Sequence, residues 1–410
     1  MTSLGFFERQ VRTRLAALDA GQLTLIDGER IVTVGRGDGP AATMTVHDPR
    51  FYRAVALGGH LGAADAYVDG WWSSDDLTSV VQLLARNRDA LDGLERGAAA
   101  LLRPLRKVVL AAHRNTRHGS RKNIMAHYDL GNEFFAAFLD DTLTYSSGIF
   151  EHPGATMRDA SIAKYDRLCQ KLALTAGDRV IEIGSGWGGF AIHAASTYGC
   201  HVTTTTISRE QHALATERVR AAGLSDRVTV RFQDYRDLTG TFDKLVSIEM
   251  VEAVGHQYYS DYFGACARLL APHGLAAIQA ITIQDRFYDN ARREMDFIKQ
   301  YIFPGSCIPS VSVLAGAASE TDLRLVHLDD ITPHYAETLK RWRLAFEANW
   351  PRIHAQGFTE EFRRLWQFYF CYCEGGFREA VIGDVQLLFA KPRAVSTLDV
   401  SAPRLMAVAA

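Results

Sequence analysis

The sequence has no Cys-x-x-Cys pair. Its six cysteines, at 169, 200, 266, 307, 371 and 373, are spaced for neither a zinc site nor a disulfide framework. No metal is expected, and a reducing compartment is the simple reading. No run of about 18 uninterrupted apolar residues occurs, so no transmembrane helix is predicted. The opening MTSLGFFERQVRTRLAAL lacks a continuous apolar stretch and does not read as a secretory signal. An excess of charge is missing too. The 45 Lys and Arg against 47 Asp and Glu leave a formal net charge of −2, so the chain as a whole is no electrostatic binder of nucleic acid. Internal repeats and long low-complexity tracts are absent. What remains is a protein expected in the cytoplasm, free or bound to a surface. Its 410 residues are enough for roughly two or three domains.

Three parts are expected. Residues 1–95 read as a small mixed α+β domain, with a hairpin in LTLIDGERIVTVG around an Asp-Gly turn and a helix over Ser79–Arg88. Residues 96–122 hold eight Lys or Arg and no acid, with Leu101, Leu102, Leu105, Val108, Val109 and Ala112 on one helical face. Such a segment can lie on an anionic membrane surface or serve as an interdomain helix with a solvated basic side. Residues 123–410 alternate from about 160 between strand-like and helix-like stretches. RVIEIG, HVTTTTIS, VTVRFQD, KLVSIEM and LAAIQAITI are the strands. That alternation predicts an α/β, doubly wound parallel sheet covered on both faces.

The stretch RVIEIGSGWGGFAIHAA (179–195) is an apolar strand, a glycine-rich turn and the start of a helix. Gly184, Gly186 and Gly189 fit the GxGxxG dinucleotide pattern, while Gly184, Gly186 and Gly188 fit the GxGxG spacing common in S-adenosylmethionine (SAM) methyltransferases. A dinucleotide site wants an acid about 20 residues on, at the end of the second strand. Thr205-Thr206-Ile207-Ser208 stands there instead. The third strand ends in FQDYRDL. The fourth ends in two carboxylates, Glu249 and Glu252. Polar groups after a fourth strand favour SAM over a nicotinamide cofactor.

Seven motifs occur in one order: HYDLGNEFF (127–135), YSSGIFE (145–151), VIEIGSGWGG (180–189), TTISREQ (205–211), SIEMVEAVG (247–255), KQYIFPGSCIPS (299–310) and HYAETLKRWR (334–343). Together with AYVDGWW (66–72) they resemble the cyclopropane-fatty-acyl-phospholipid synthase family over nearly the whole chain. The resemblance implies a Rossmann-like SAM methyltransferase domain behind a smaller N-terminal domain. It implies methyl transfer from SAM to a cis double bond of an unsaturated acyl chain in a membrane phospholipid. A carbocation forms, bound bicarbonate takes a proton, and a cyclopropane ring closes. It further implies a homodimer, peripheral on an anionic membrane surface at the inner face of the cell membrane.

By motif, the SAM contacts are Tyr145, Ser146, Gly184, Gly186, Thr206, Ile207, Gln211, Asp234, Tyr235 and Ile248, with Glu182 ordering the glycine loop. Around bicarbonate the resemblance places Glu252, Tyr335 and the backbone of Ile281. Ser147 stands where a cysteine is common and Gln279 where a histidine is familiar. Phe134, Phe135, Tyr145 and Tyr301 are candidates for stabilising a cation. Cys371 and Cys373 read as packing. Two alternatives stand beside ring closure: a related enzyme giving a methyl or methylene branch, and a non-catalytic lipid-binding protein.

Overall fold

The computed structural model describes residues 3–88 and 130–395. The basic stretch 96–122 and the start of the first motif lie outside the described residues.

The N-terminal part is built on four strands: β1 (Gly21–Asp27), β2 (Arg30–Arg36), β3 (Ala41–Val46) and β4 (Trp72–Ser74). Their order is β2-β1-β3-β4. β1 and β2 form the hairpin around Gly28, with Asp27 opposite Arg30. Leu23 and Leu25 alternate inward along β1 and pack with Met44, Phe51, Tyr52 and Trp72. The following helix spans Leu77–Arg86, two residues earlier than the sequence pattern placed it. Asp76 caps it by accepting from the Ser79 amide at 3.0 Å.

The second sheet has seven strands: β5 (Arg179–Ile183), β6 (His201–Thr206), β7 (Val228–Phe232), β8 (Phe242–Ile248), β9 (Leu270–Ile283), β10 (Arg324–Asp330) and β11 (Ile382–Ala390). The order β10-β11-β9-β8-β5-β6-β7 reverses between β5 and β8. In open α/β sheets, ligands bind at such a switch point, beyond the carboxyl ends of the strands. One strand departs from the expected parallel pattern. β11 runs antiparallel to both neighbours, pairing Asp384 with Ile281 and Gln386 with Gln279.

The apolar core is continuous between the two parts. Residues of the first sheet belong to the same buried cluster as Phe134, Trp342, Phe346, Trp366 and Phe377. Helix Glu360–Arg378 makes the join. A Cβ on its Gly375 would lie 2.6 Å from Val81 Cγ1, so only glycine allows this approach to helix Leu77–Arg86. Thr78 donates to Glu374 at 3.1 Å and Arg86 to Glu379 at 2.6 Å across the same contact. No helix among the described residues is long and apolar enough to cross a membrane.

Candidate active site

The glycine turn chooses between its two registers by conformation. Gly184, Gly186 and Gly188 have φ of 98°, 48° and 86°, the left-handed region that side chains avoid. Gly189 opens helix Gly189–Tyr198 and is needed for packing, because a Cβ there would meet the Tyr165 hydroxyl at 2.5 Å. The conformational glycines are therefore those of the GxGxG spacing.

The turn opens on a cavity of about 280 Å³ between the carboxyl ends of β5, β6 and β8. All ten residues assigned to SAM by motif line this one cavity. At the end of β6, Thr206 donates to Gln211 Oε1 at 2.8 Å, so neutral groups stand where a ribose-binding acid is usual. Asp234 accepts from the Arg236 guanidinium at 2.6 Å. Lys164, fully buried, donates to Ser146 Oγ at 2.6 Å. Glu182 reaches the cavity from β5 with Oε2 lacking a hydrogen-bond donor. Burial pushes its carboxyl up to about 8. An orphaned buried acceptor beside a glycine turn fits a ligand that carries an ammonium group. These residues would hold SAM, which when bound supplies an electrophilic methyl group on a sulfonium.

Beyond the turn, the cavity wall becomes acidic and then apolar. β8 ends at Ile248, and Glu249 follows with φ +49°. Three donors converge on its carboxylate. The Ser147 amide and Gln279 Nε2 each reach Oε1 at 2.8 Å, and the Tyr335 hydroxyl donates to Oε2 at 2.6 Å. Gln279 also donates to Asp384 Oδ2 at 3.1 Å. A chain of donors orients that amide. Lys171 donates to Gln386 Oε1 at 2.6 Å, leaving the Gln386 Nε2 to donate to Gln279 Oε1 at 3.0 Å. The Gln279 Nε2 is thereby turned toward the two acids. Glu252 is held by the Ile281 amide at Oε1, and its Oε2 is buried without a partner. Burial pushes Glu252 up to about 8, and the charge of Glu249 adds to this.

Glu252, Tyr335 and Ile281 line the cavity as the motifs implied; Ser147 and Gln279 do not. Both are fully buried, behind Glu249. The motifs leave open whether these two touch bicarbonate; here the intervening Glu249 carboxylate takes the Ser147 amide and the Gln279 amide group. The Tyr335 hydroxyl and the Ile281 amide are likewise engaged by carboxylates of the chain. An added anion in this place would face the carboxylate of Glu249, with the donors of Ser147, Gln279, Tyr335 and Ile281 already taken by the chain's own acids. The residues present do not fit bicarbonate.

The aromatic expectation changes in the same way. Phe134 and Phe135 sit in the buried cluster and do not line the cavity, and Tyr301 turns outward to donate to Asp65. Tyr145 does line the cavity, and its hydroxyl lies 3.1 Å from that of Tyr369. Phe303, Tyr369 and Phe377 continue the aromatic wall beside it. Tyr369, Cys373 and Phe377 recur every four residues on helix Glu360–Arg378, a spacing that could have marked them as one face. Cys373 thus lines the cavity, whereas Cys371 is buried in the core cluster. Glu249, Lys164 and Asp384 were not assigned from the sequence.

Tyr335→Phe tests the hydroxyl alone, since the ring keeps its stacking on Phe377 at 4.4 Å. Losing a hydrogen bond to a charged group is expected to lower kcat about ten- to a hundredfold, with SAM affinity unchanged. Steady-state rates and SAM titration check this; an equal loss of SAM affinity would place the hydroxyl in cofactor binding.

The comparisons with known proteins follow the same lines. The family model described as mycolic acid cyclopropane synthetase matches residues 115–387. A tuberculostearic acid methyltransferase, UfaA1 of Mycobacterium tuberculosis, is 38% identical over 86% of this chain and 84% of its own length. The cyclopropane-fatty-acyl-phospholipid synthase of Escherichia coli strain K12 is 34% identical over 87% and 89%. Among solved structures, mycolic acid cyclopropane synthase CmaA1 complexed with SAH and CTAB is similar with a TM-score of 0.63 and 30% identity, covering 66% of this chain and 98% of that one. With the glycine turn at the switch point and the acids at its far wall, the chain belongs to the mycolic acid cyclopropane synthetase family and is a SAM-dependent methyltransferase of that type.

Proposed function

We propose that the chain transfers the methyl group of SAM to the cis double bond of an unsaturated acyl chain in a membrane phospholipid and closes a cyclopropane ring. One observation carries this reading. The cavity that begins at the glycine turn continues into a wall of Ile298, Phe303, Leu339, Tyr369, Phe377 and Ile382, with buried carboxylates beside it. An alkene is a weak nucleophile, so holding it against the methyl group supplies much of the rate. A carbocation needs a site without water, and aromatic faces favour positive charge. A proton must then leave, and an acid residue lies within the same wall. Bicarbonate does not fit beside these groups, and the reaction is read without it.

The phospholipid is inferred from the named activity of the Escherichia coli relative. The basic stretch 96–122 supplies attraction to an anionic membrane surface at the cytoplasmic face. Pairing of two chains through their N-terminal parts brings two such stretches to one membrane patch. A second reading, a methyl or methylene branch in place of the ring, is favoured by the 38% identity to the tuberculostearic acid methyltransferase.

Incubating purified protein with SAM and liposomes of unsaturated phospholipid tests these readings. The expected product is one CH2 heavier than its substrate, resists mild hydrogenation and shows cyclopropane protons by NMR. A product of the same mass that takes up hydrogen means a methylene branch. Absence of any modified lipid, with SAM still giving thermal protection, overturns methyl transfer to these chains.

A further inference from the structure

We propose that Glu249 is the proton acceptor of this reaction, a carboxylate of the chain standing where the family resemblance places a bound anion. The inference rests on the reading that an acyl-chain alkene is methylated. Its basis is the convergence of three donors on one side chain. The Ser147 amide, the Gln279 amide group and the Tyr335 hydroxyl come from three separate segments and meet at Glu249. An ionised carboxylate offers about four lone-pair sites. Two donors occupy Oε1 and one occupies Oε2, so Oε2 keeps acceptor capacity on a residue that lines the cavity.

The backbone is an independent observation. Glu249 has φ +49°, where a non-glycine residue costs about 1 kcal/mol or more. A side chain kept in such a conformation at a cavity wall is held there by its surroundings, and strain of this kind collects at functional sites. The neighbouring acids cannot take the role as readily. Burial drives all three acids toward the protonated form, but at Glu252 and Asp384 the charge of Glu249 adds to it, whereas at Glu249 Lys164 and the three donors oppose it.

The proton balance is simple. The alkene π pair forms the bond to the incoming methyl carbon, and the adjacent chain carbon becomes cationic. One C–H bond of the new methyl group breaks, its electron pair closes the ring, and the proton passes to Oε2 of Glu249. The carboxylic acid so formed returns the proton to water as product leaves.

The test compares rates in carbon-dioxide-free buffer with and without added bicarbonate. The wild-type protein is expected to run at full rate in both. Glu249→Gly relaxes the backbone and empties the anion position. It is expected to lose roughly a hundredfold or more in rate, the scale of a general base, and to recover part of it when bicarbonate is added. Glu249→Gln keeps the shape and fills the position, so the same loss is expected without recovery. SAM protection in thermal unfolding should be unchanged in both variants. A wild-type rate that falls without bicarbonate and returns with it overturns the proposal, as does a Glu249→Gln protein of full activity. No product from the wild-type protein under either condition overturns the functional reading itself, and this inference with it.

Discussion

Lys164→Met is expected to change how both stability and rate depend on pH, because it removes a buried cation that favours the ionised form of Glu249 but is itself unfavourable to bury. Lys164 is fully buried, and it is the cation that acts on Glu249, Glu182 and Asp384 alike. Burial lowers its own proton affinity to about 8, which still leaves it mostly charged at neutral pH. Methionine matches its length and apolar stem but carries no charge. Glu249 then has to bind a proton or stand as a buried anion without its counter-charge. Two consequences separate this from ordinary core damage. Burial of the wild-type ammonium is unfavourable below about 8, so the variant is expected to gain most in acid, on the order of 3 kcal/mol, where Glu249 is protonated and offers no counter-charge, and the difference shrinks as pH rises toward 10.5. The acid limb of the pH–rate profile also moves upward, because Glu249 is harder to ionise. Denaturant unfolding followed by tryptophan fluorescence at several pH values reads the first, and steady-state rates read the second. An equal stability change at every pH would mean that Lys164 acts by packing alone.

The second large effect is a stability minimum near pH 8. Glu182 and Glu252 are pushed from the ordinary 4.5 up to about 8 by burial. Between those values the folded chain binds more protons than the unfolded one. Their contribution is therefore fully present below 4.5 and is lost as pH rises through about 8, on the order of a few kcal/mol per group. Lys164 has the opposite sign. Its affinity is lowered from 10.5 to about 8, so between these values the unfolded chain binds more protons and stability rises with pH. Glu182→Gln removes one acidic contribution and leaves the lysine. Its stability curve should fall less steeply on the acid side and rise as before on the alkaline side. Unfolding free energies across the pH range check this; an unaltered acid-side slope in Glu182→Gln would show that Glu182 titrates normally in the folded chain.

The site divides according to how local its chemistry is. Gly184, Gly186 and Gly188 could be read because a turn between strand and helix needs positive φ at fixed offsets, and sequence displays that need directly. Thr206 and Gln211 could be read because one ends the second strand and the other lies in the first turn of the helix that follows it. Tyr335 and Glu252 entered through whole motifs rather than through any property of a tyrosine or a glutamate. Glu249 was visible as one of two carboxylates after the fourth strand, yet nothing in that stretch says which of the two gathers three donors. The aromatic wall was misplaced for a related reason. Phe134, Phe135 and Tyr301 have the right chemistry but pack elsewhere, while Tyr369 and Phe377 reach the cavity from a helix far along the chain.

By itself the sequence determined the strand–turn–helix that begins the site, the alternation that builds a doubly wound sheet and the class of cofactor. Those properties depend on residue periods and backbone conformations that neighbouring residues set. Tertiary structure alone decided that β11 runs antiparallel, and with it that Asp384 and Gln386 lie opposite Ile281 and Gln279. It alone gathered Ser147, Gln279 and Tyr335 onto Glu249 and set the buried Lys164 among the acids. Strand register and long-range contact come from packing the whole core, and so do the proton affinities of the groups buried within it.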